Sequence, residues 1–485
     1  MMKTKLIVFF SVFFTFTCFT KITGQVVTRE EAAVIAQNWI NIIIDQYEGW
    51  GEYDKANPEI VYPLERNGQQ LGFYCQVKPE GFIVMSLRKE LAPVKVYSER
   101  GRIDMDLDIG MPDLIKDCMQ TIVDGINQQA GSIETLSNDQ LKKILEIDYS
   151  ASWQQVYSYQ IGSLPLKVKS PNGKDNYQEG EVLLSSSWHQ SPPYNDDCPL
   201  MGCGNSNGRA VVGCVATAGA QIMKYWNWPP YGVGSPYNDP YDWVNMKDNV
   251  TTSSPQEQIN AVAEICWEIG DAVNMDYGCD GSGANTSDME GVFEDHFYYS
   301  SVCTKKNRND YTAIEWFNRL KLQFNINRPV QYKIPQHSIV ADGWKETGTP
   351  TIRQYHINYG WGESTTTAWY VLDEIYGGDP NSEYILENIV PFQSIGTTIY
   401  GAYSKPLFPF RYFDQDATGS NAVFMQGQNL QFLPNITLSC NGNGIIFIGI
   451  PSDATFFYTR GDILKGIKLS DGKIVLHNQG SIKLH

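Results

Sequence analysis

The sequence predicts an α+β protein built from several parts, and three observations support this class. Residues 27–47 place apolar side chains at helical intervals, whereas residues 73–77 and 82–85 form the short apolar runs typical of strands. A second helical pattern follows Cys214, and beyond about residue 400 only short strand-like runs between turns remain. Helices and strands grouped in separate runs, without strict alternation, are typical of the α+β class.

Length and charge limit the function classes that fit. The chain has 485 residues, 42% of them hydrophobic, which suits roughly two to four folded domains. The formal net charge of −17 argues against a nucleic-acid partner, because phosphate binding requires clustered lysines and arginines. Loss of Cys18 with a leader would leave an odd number of the ten cysteines, so at least one thiol would have no partner within the chain.

Residues 1–24 are predicted to be a secretory signal peptide. A basic start and an apolar run ending near Phe19 precede Gly24, a small residue suited to cleavage. A membrane anchor is the alternative, but threonines interrupt the run and it is short for a bilayer. A lipid on Cys18 is a further alternative that lacks the expected small residues before it. No later segment is long and apolar enough to span a membrane.

Three regions are predicted after the signal peptide. Residues 25–175 begin with Thr28 and Glu31 at capping-box spacing and continue into a hairpin around the turn KPEG. A polar, turn-rich stretch that includes Lys174 predicts an exposed linker open to proteolysis. Residues 176–398 form the largest block. Residues 399–485 predict a small all-β module, whose tail suggests a short stacked repeat.

Cys214 opens the second predicted helix, in the stretch GCVATAGAQIMKYW. The small residues after it suit a central helix that packs closely against a neighbouring backbone. A cysteine at a helix N-terminus faces unpaired N–H groups and the positive end of the helix dipole, and both favour the thiolate. From this motif alone, a nucleophile and a buried structural cysteine are equally well supported.

A thiolate that attacks an acyl group needs a base, and histidine is the usual one near neutral pH. Of six histidines, His337 in HSIVADGWK and His356 in YHINYGWG lie in short apolar strands. Strand alternation places His356 and Asn358 on one face, so the Asn358 amide can point inward and orient a catalytic imidazole. Trp361 would shield that hydrogen bond from water. A core strand with a glycine-rich turn is the structural alternative.

The order cysteine, histidine, asparagine agrees with papain-like enzymes, since Asn358 follows Cys214 by roughly 140 residues. The local papain signature around the cysteine is absent. Gln190, in SSWHQSPPY, is a candidate side-chain donor to an oxyanion, next to the backbone N–H of Cys214.

Four motifs together resemble the streptopain family of secreted bacterial cysteine peptidases. They are GCVATAGAQIMKYWNWP, NMDYGCDGSGANTS, HSIVADGW and HINYGWG, which occur in the family's order between about residues 180 and 390. The stretch GFIVMSLRKELAPVKVYSERG resembles the family's inhibitory propeptide. The C-terminal β module lies outside the resemblance.

The resemblance implies a papain-like, two-lobed peptidase domain at residues 176–398, preceded by an inhibitory prodomain at residues 25–175. It implies a secreted endopeptidase, made as a zymogen, that cleaves protein or peptide substrates without a cofactor and with its own prodomain as intramolecular inhibitor. The catalytic residues it implies are Cys214 as nucleophile, His337 as base, Asn358 as orienting residue and Gln190 as oxyanion donor. The substrate-binding residues assigned beside the cleft are Ser282, Gly283, Tyr359 and Trp361.

The sequence departs from the family around its histidine and its asparagine. The family has two glycines before the histidine and an alanine after it, where this chain has Pro335, Gln336 and Ser338. Tyr359 replaces the family's tryptophan after the asparagine. These changes keep open the alternative of an inactive peptidase fold that acts as a secreted binding or adhesion module, attached to a surface through its C-terminal module.

Two weaker signals concern metals. The alternating carboxylates of DMDLDIG, residues 104–110, lack the glycine and the distal glutamate of an EF-hand, so a solvated strand is expected there. Cys198 and Cys203 would bind zinc only with two further ligands, and in an exported chain a disulfide or free thiols are expected instead. The sequence therefore predicts no metal site.

Overall fold

The computed structural model describes residues 26–167, 177–204, 206–229, 231–362, 367–371 and 383–391, together with the backbone of the strands between residues 411 and 484. The predicted signal peptide and the predicted cleavage region near Lys174 lie outside the described residues. Helices and antiparallel sheet are both present, so the α+β class is confirmed. None of the helices within these ranges combines the length and apolar character that a membrane span requires.

The N-terminal region, residues 26–167, combines strands and helices. Its elements are α1 (Arg29–Tyr47), β1 (Asn57–Arg66), β2 (Gln69–Lys78), β3 (Phe82–Ser86), β4 (Val96–Ser98), α2 (Gly110–Ala130), α3 (Asn138–Lys142) and α4 (Ser150–Tyr157). The predicted capping box starts α1, because the Thr28 hydroxyl accepts the Glu31 N–H and the Glu31 carboxylate accepts the Thr28 N–H. The predicted hairpin is formed by β2 and β3.

The acidic stretch before α2 differs from expectation. Residues 104–109 form turns and bends where a solvated strand was expected. The Asp104 carboxylate accepts the N–H of Asp106, and this local hydrogen bond stabilises a turn over an extended strand.

The central region contains the remaining helices of the described chain. Its elements are β5 (Leu200–Cys203), β6 (Gly208–Arg209), α5 (Cys214–Trp226), α6 (Gln256–Ala272), α7 (Met289–Phe297), β7 (Thr304–Asn307), α8 (Ala313–Asn325), β8 (Val330–Ile334), β9 (His337–Thr347), β10 (Ile352–Asn358), β11 (Thr367–Tyr370) and β12 (Tyr384–Glu387). Single 3₁₀ turns occur at Thr286–Asp288 and Arg308–Asp310.

One antiparallel sheet of ten strands joins the N-terminal and central regions, in the order β1-β2-β3-β4-β11-β10-β9-β8-β12-β7. The junction is the pairing of β4 with β11, in which Tyr97 lies opposite Trp369 and Val96 opposite Tyr370. The N-terminal region therefore adds strands β1 to β4 to the central region's sheet, beside its strand β11.

The buried apolar side chains form two cores. One core contains side chains of both regions, among them Trp39 and Tyr97 from the N-terminal region and Tyr355 from the central sheet. The other surrounds α5 and includes Ile222 and Val340. Every residue of α5 after Cys214 is buried except Lys224, so α5 is the central buried helix that its small residues predicted.

The C-terminal strands pair in parallel. They are β13 (Arg411–Phe413), β14 (Ala417–Gly419), β15 (Ala422–Gln426), β16 (Leu430–Phe432), β17 (Leu438–Cys440), β18 (Ile445–Ile450), β19 (Thr455–Tyr458), β20 (Ile467–Leu469), β21 (Lys473–Asn478) and β22 (Ser481–Leu484). The ladders β14-β17-β20 and β15-β18-β21 stack successive turns of the chain, as in a β-solenoid.

Candidate active site

Cys214 is the first residue of α5, and its thiol is free. Gly213 before it has a φ of 90°, and a Cβ at that position would lie 2.9 Å from the carbonyl oxygen of Ser282. Only glycine fits this bend. The bend places the half-buried Cys214 at the positive end of the helix dipole, as predicted.

The surroundings of Cys214 act on its pKa in opposite directions. Burial raises the pKa of the thiol above its ordinary value. The Ser338 N–H, the Lys333 ammonium and the N–H groups of Cys214 and Val215 lower it. The helix terminus therefore favours the thiolate, but in this structure burial outweighs that effect.

His337 is the first residue of β9 and follows a two-residue turn formed by Pro335 and Gln336. Its Nε2–H donates to the Tyr359 carbonyl at 2.9 Å, so Nδ1 is left as the acceptor nitrogen. The Trp361 ring stacks on the imidazole with centroids 4.3 Å apart. Burial lowers the pKa of His337 to about 4, so the ring is neutral at pH 7.

Asn358 closes β10 and does not contact His337. Its amide donates to the Ser186 carbonyl at 2.9 Å and to Gln221 Oε1 at 3.1 Å. Its Oδ1 accepts the Gly360 N–H at 3.0 Å. Asn358 therefore joins helix α5 to the turn that follows β10.

The register of the sheet explains why this asparagine does not contact the histidine. Asn358 lies opposite Val340, whose side chain belongs to the core around α5. His337 lies opposite Ile334, whose side chain belongs to the other core. Paired residues share a face of the sheet, so the two side chains start on opposite faces. The orienting contact predicted for Asn358 is made here by the backbone carbonyl of Tyr359.

Cys214 and His337 lie at the same end of β9. The Ser338 N–H faces the Cys214 thiol, and Ser338 directly follows His337 in the chain. Within the described residues no hydrogen bond joins the thiol to the imidazole, and Nδ1 of His337 has no partner. His337 thus has a free acceptor nitrogen, but its side chain starts on the face of β9 opposite to that of Ser338, so the thiol and the imidazole are not paired in this structure.

Gln190 lies beside the segment that leads into α5. Its backbone carbonyl accepts the N–H of Val212 at 2.9 Å, two residues before Cys214. In the part of the chain that the structure describes, its half-buried side-chain amide has no hydrogen-bond partner. The amide is therefore available to a ligand near Cys214.

A disulfide joins Cys203 to Cys279 and ties a second loop to the same segment. The Ser282 hydroxyl, in the loop that carries Cys279, donates to the Val211 carbonyl at 2.6 Å. The Ser282 side chain is buried and holds the loop in place, whereas Gly283 is exposed at its surface. Of these two predicted substrate contacts, only Gly283 is open to a ligand in this structure.

The two aromatic residues assigned to the substrate differ in exposure. Tyr359 is 2% exposed, and its ring lies parallel to that of Trp361 at 5.9 Å between centroids. Trp361 is half-buried and covers the imidazole of His337. Tyr359 is therefore a core residue here. Trp361 covers the imidazole, but the hydrogen bond from Asn358 to the imidazole that it was expected to shield does not form in this structure.

Two residues at the site were not singled out from the sequence. Gln221, the partner of Asn358, lies two helical turns after Cys214, and that spacing places it on the same helix face. Lys333, whose charge acts on Cys214, lies two residues after Gln331 on β8, so the two side chains share a face of the strand. Both spacings can be read from the sequence, but the residues that these two side chains contact depend on tertiary packing.

One group of carboxylates could hold a cation. Oxygen atoms of Asp239, Glu264 and Glu268 all lie within 4.8 Å of one another. Burial is the main cause that raises the pKa of Glu264 to about 7 and that of Glu268 to about 8. Cys198, considered above for zinc, is a free thiol, and Cys203 is in the disulfide.

Residues 188–370 match the profile of the Peptidase C10 family. The matching segment contains Gln190, Cys214, His337 and Asn358, the four residues to which catalytic roles were assigned.

Two curated proteins are similar to the same part of the chain. The thiol protease/hemagglutinin PrtT of Porphyromonas gingivalis is 27% identical over 204 residues, which cover 38% of this chain and 23% of that protein. Streptopain of Streptococcus pyogenes is 30% identical over 191 residues, which cover 34% of this chain and 46% of that protein. The match thus spans less than half the length of either relative.

Two solved structures are also similar. A fragment of prointerpain A from Prevotella intermedia is 22% identical, with a TM-score of 0.47, and the match covers 69% of this chain and 99% of that one. Active interpain A cysteine protease from the same organism is 27% identical, with a TM-score of 0.35, over 46% of this chain and 96% of that one.

Proposed function

We propose that this chain, which carries a domain of the Peptidase C10 family, is a secreted cysteine endopeptidase made as an inactive precursor. One observation carries the proposal. Within the matching segment, the free thiol of Cys214 begins a buried helix and faces Ser338, the residue that follows His337. Similar proteins are named as a thiol protease and as streptopain.

In the proposed reaction the Cys214 thiol gives its proton to His337, and the resulting thiolate attacks the carbonyl carbon of a peptide bond. The backbone N–H of Cys214 and the amide of Gln190 stabilise the oxyanion. His337 passes the thiol proton to the leaving amine, which departs and leaves an acyl-enzyme. His337 then takes a proton from water, and the resulting hydroxide cleaves the thioester and restores the thiol. The proposed reaction uses no cofactor.

The contacts of His337 support its role as the base. Donation from Nε2 to the Tyr359 carbonyl selects the tautomer in which Nδ1 accepts a proton. Trp361 stacks on the ring and limits its rotation. Asn358 acts on His337 indirectly. Its Oδ1 accepts the N–H of Gly360 and so fixes the turn after β10 that contains Tyr359. We assign Asn358 a positioning role through this turn.

The N-terminal region is the proposed intramolecular inhibitor. It extends the sheet of the peptidase domain through β4 and β11. It also shares a hydrophobic core with Tyr359, and Trp361 packs against that core. A region bound this closely to the residues that hold His337 restricts the ring, so its removal would free the imidazole to approach Cys214.

Lys345 is a second link between the two regions. Its ammonium is 2.7 Å from the Glu99 carboxylate, and the lysine side chain is 3% exposed. It also lies 4.7 Å from the ring centroid of Tyr47, 5.5 Å from that of Tyr97 and 4.1 Å from that of Trp369. Cation–π contacts of a desolvated ammonium are worth roughly 2 kcal/mol or more, so this cluster stabilises the precursor.

Export and surface attachment complete the proposal. The basic and apolar start of the sequence supports secretion to an extracellular or periplasmic space. The parallel strands between residues 411 and 484 form a separate stack, suited to a binding role apart from catalysis. We propose that this C-terminal module attaches the enzyme to a surface, with protein or peptide substrates as the partners of the peptidase domain.

Hydrolysis of casein by purified Cys214→Ala, under reducing conditions, tests the proposal. The variant should show no hydrolysis above background, whereas Cys303→Ala, which removes another free thiol, should retain the parent activity. Fragment masses after incubation with thiol should show self-processing of the parent near Lys174. Activity of Cys214→Ala equal to that of the parent would contradict the proposal.

Labelling separates this function from an inactive fold that only binds. An epoxide-type inhibitor of thiol peptidases should modify Cys214 and spare Cys303, because Cys214 lies at a helix N-terminus whereas Cys303 is a buried free thiol. Absence of labelling in the processed protein would favour the adhesion or binding module instead.

A further inference from the structure

Lys333 lies on the face of β8 that is turned toward the start of α5. It pairs in register with Ser338, and paired residues share a face of the sheet. Gln331, two residues earlier and therefore on the same face, donates its amide to the Val215 carbonyl at 3.1 Å. Gln331 also donates to the Ser338 hydroxyl at 3.1 Å. The Lys333 side chain is thus directed toward the first turn of the helix that Cys214 begins.

The hairpin holds this lysine in place. Ile334 pairs with His337, so Pro335 and Gln336 alone connect β8 to β9. The Lys333 ammonium donates to the Ile334 carbonyl, and its side chain is half-buried. A short turn and a half-buried side chain leave the ammonium little freedom to move away into solvent.

We propose that the Lys333 ammonium stabilises the Cys214 thiolate and so acts as a positioning residue for the charge of the nucleophile. This inference rests on the proposed peptidase function. It assigns to a lysine of β8 an electrostatic role that the imidazole of His337 does not fill in this structure.

The charged groups around Cys214 are consistent with this role. From β8, Lys333 lowers the pKa of the Cys214 thiol, against burial, which raises it. From β9, His337 is neutral near pH 7, because burial, with a smaller contribution from Lys333, lowers its pKa to about 4. The first turn of α5 contains no acidic residue, and Asp276 and Asp280 of the facing loop are exposed.

A second histidine, His189, lies in the segment before α5, and burial lowers its pKa. With both histidines neutral, the lysine is the fixed positive charge next to the thiol among the described residues. In return, the thiolate raises the pKa of Lys333, which burial lowers. A cation and an anion that stabilise each other in this way reduce the cost of forming the thiolate, although burial still holds the pKa of the Cys214 thiol above its ordinary value in this structure.

Alkylation of Cys214 in the full chain tests the inference without any need for proteolysis. The rate of modification by iodoacetamide is measured from pH 5 to pH 10 by mass spectrometry of the peptide that contains Cys214. The neutral variant is Lys333→Gln, whose amide can still donate to the Ile334 carbonyl. Lys333→Arg restores the charge. Lys306→Met removes a charge from β7, two strands away in the same sheet.

Lys333→Gln should raise the apparent pKa of Cys214 by about one unit, which slows alkylation at pH 7 by about tenfold and leaves the plateau at high pH unchanged. Lys333→Arg and Lys306→Met should follow the parent curve. A Lys333→Gln curve that superimposes on that of the parent would overturn the inference. A lysine-dependent curve in a protein that hydrolyses nothing would support the inference and contradict the proposed function.

A second measurement needs no variant. Iodoacetate is an anion, so a nearby ammonium should raise its rate at Cys214, relative to iodoacetamide, above the same ratio for a free thiol in solution. We expect a ratio at least threefold higher at low salt that falls as salt is added. An unchanged ratio would overturn the inference.

Discussion

The Nε2–H of His337 donates to the backbone carbonyl of Tyr359 at 2.9 Å, and this contact replaces the side-chain acceptor expected from the sequence. A backbone acceptor survives substitution of its own side chain. The orientation of the His337 imidazole therefore depends on the path of the turn, to which the Asn358 amide contributes only through Gly360.

Asn358→Ala should accordingly reduce kcat by about tenfold, far less than the roughly 10⁴-fold loss seen when a true orienting residue of a triad is changed. The same variant should lose about 2–4 kcal/mol of unfolding free energy, because it leaves the Ser186 carbonyl and the Gln221 Nε2–H group buried without a partner. Steady-state kinetics and urea unfolding measure the two effects. A 10⁴-fold loss of kcat at unchanged stability would show that Asn358 orients His337 directly.

Gln190→Ala should lower kcat by roughly 10²-fold, the usual effect of removing one oxyanion donor. Its KM and its thermal midpoint should stay near the parent values, because the side chain has no hydrogen-bond partner in the described structure and the backbone bond to Val212 remains. Gln336→Ala, in the turn before His337, is the control for loss of an amide near the site. Equal kcat values for Gln190→Ala and the parent would remove Gln190 from the oxyanion site.

Loss of the disulfide should destabilise the loop that carries Cys279 and Ser282. Cys203→Ala with Cys279→Ala opens a crosslink between residues 76 positions apart, which should cost about 2–4 kcal/mol of unfolding free energy. KM should rise, because hydrogen bonds alone, such as that of the Ser282 hydroxyl to the Val211 carbonyl, would then tie the loop to the segment before Cys214. Urea unfolding and peptide kinetics check this, with Cys198→Ala as the control for a thiol outside the disulfide. An unchanged KM would show that hydrogen bonds alone hold the loop.

Stability should fall as the pH rises through neutrality. Folded-state pKa values of about 7 for Glu264 and about 8 for Glu268 exceed the ordinary value of 4.5, so the folded protein binds protons more tightly than the unfolded chain. Their contribution is complete below about pH 4.5 and is lost by about pH 8, a change of at least about 2 kcal/mol.

Glu268→Gln should flatten this part of the stability curve and keep the hydrogen bond from Tyr241. Glu257→Gln, at an exposed position of the same helix, should leave the slope unchanged. Urea unfolding at several pH values without divalent cations gives the slopes. Parallel curves for Glu268→Gln and the parent would mean that Glu268 is ionised throughout this range.

Lys345→Met should weaken the binding of the N-terminal region to the central region. The substitution removes the salt bridge to Glu99 and the cation above Tyr97 and Trp369, which should lower the affinity of the cleaved region by at least tenfold. Lys321→Met is the control, because Lys321 contacts Glu346 and Trp344 within the central region alone. Size-exclusion chromatography after cleavage of the linker measures retention of the region. Equal retention in both variants would contradict this role for Lys345.

Local patterns predicted the elements that carry the site. The small residues after Cys214 predicted a buried helix, and Thr28 with Glu31 predicted the start of α1. Both patterns act within a few residues of chain, where backbone sterics and capping decide the structure. The placement of His337 at the start of a strand followed from its apolar run in the same way.

Contacts between distant elements could not be predicted from those patterns. The partner of Asn358 depends on the register of β9 against β10 and on where α5 crosses them. The charge of Lys333 is visible in the sequence, but its direction is set by pairing with Ser338. The pairing of β4 with β11 joins residues far apart in the chain, and neither strand alone signals the other.

That pairing also has a consequence for the proposed processed form. If the N-terminal region is removed, the strand Thr367–Tyr370 loses its neighbour β4. The N–H of Val371 then also loses its hydrogen bond to the Lys95 carbonyl. The unpaired N–H and C=O groups of such an edge strand can pair with another extended segment. Processing would thus expose a sheet edge that can pair with other molecules. We expect sedimentation experiments on the processed form to show concentration-dependent self-association.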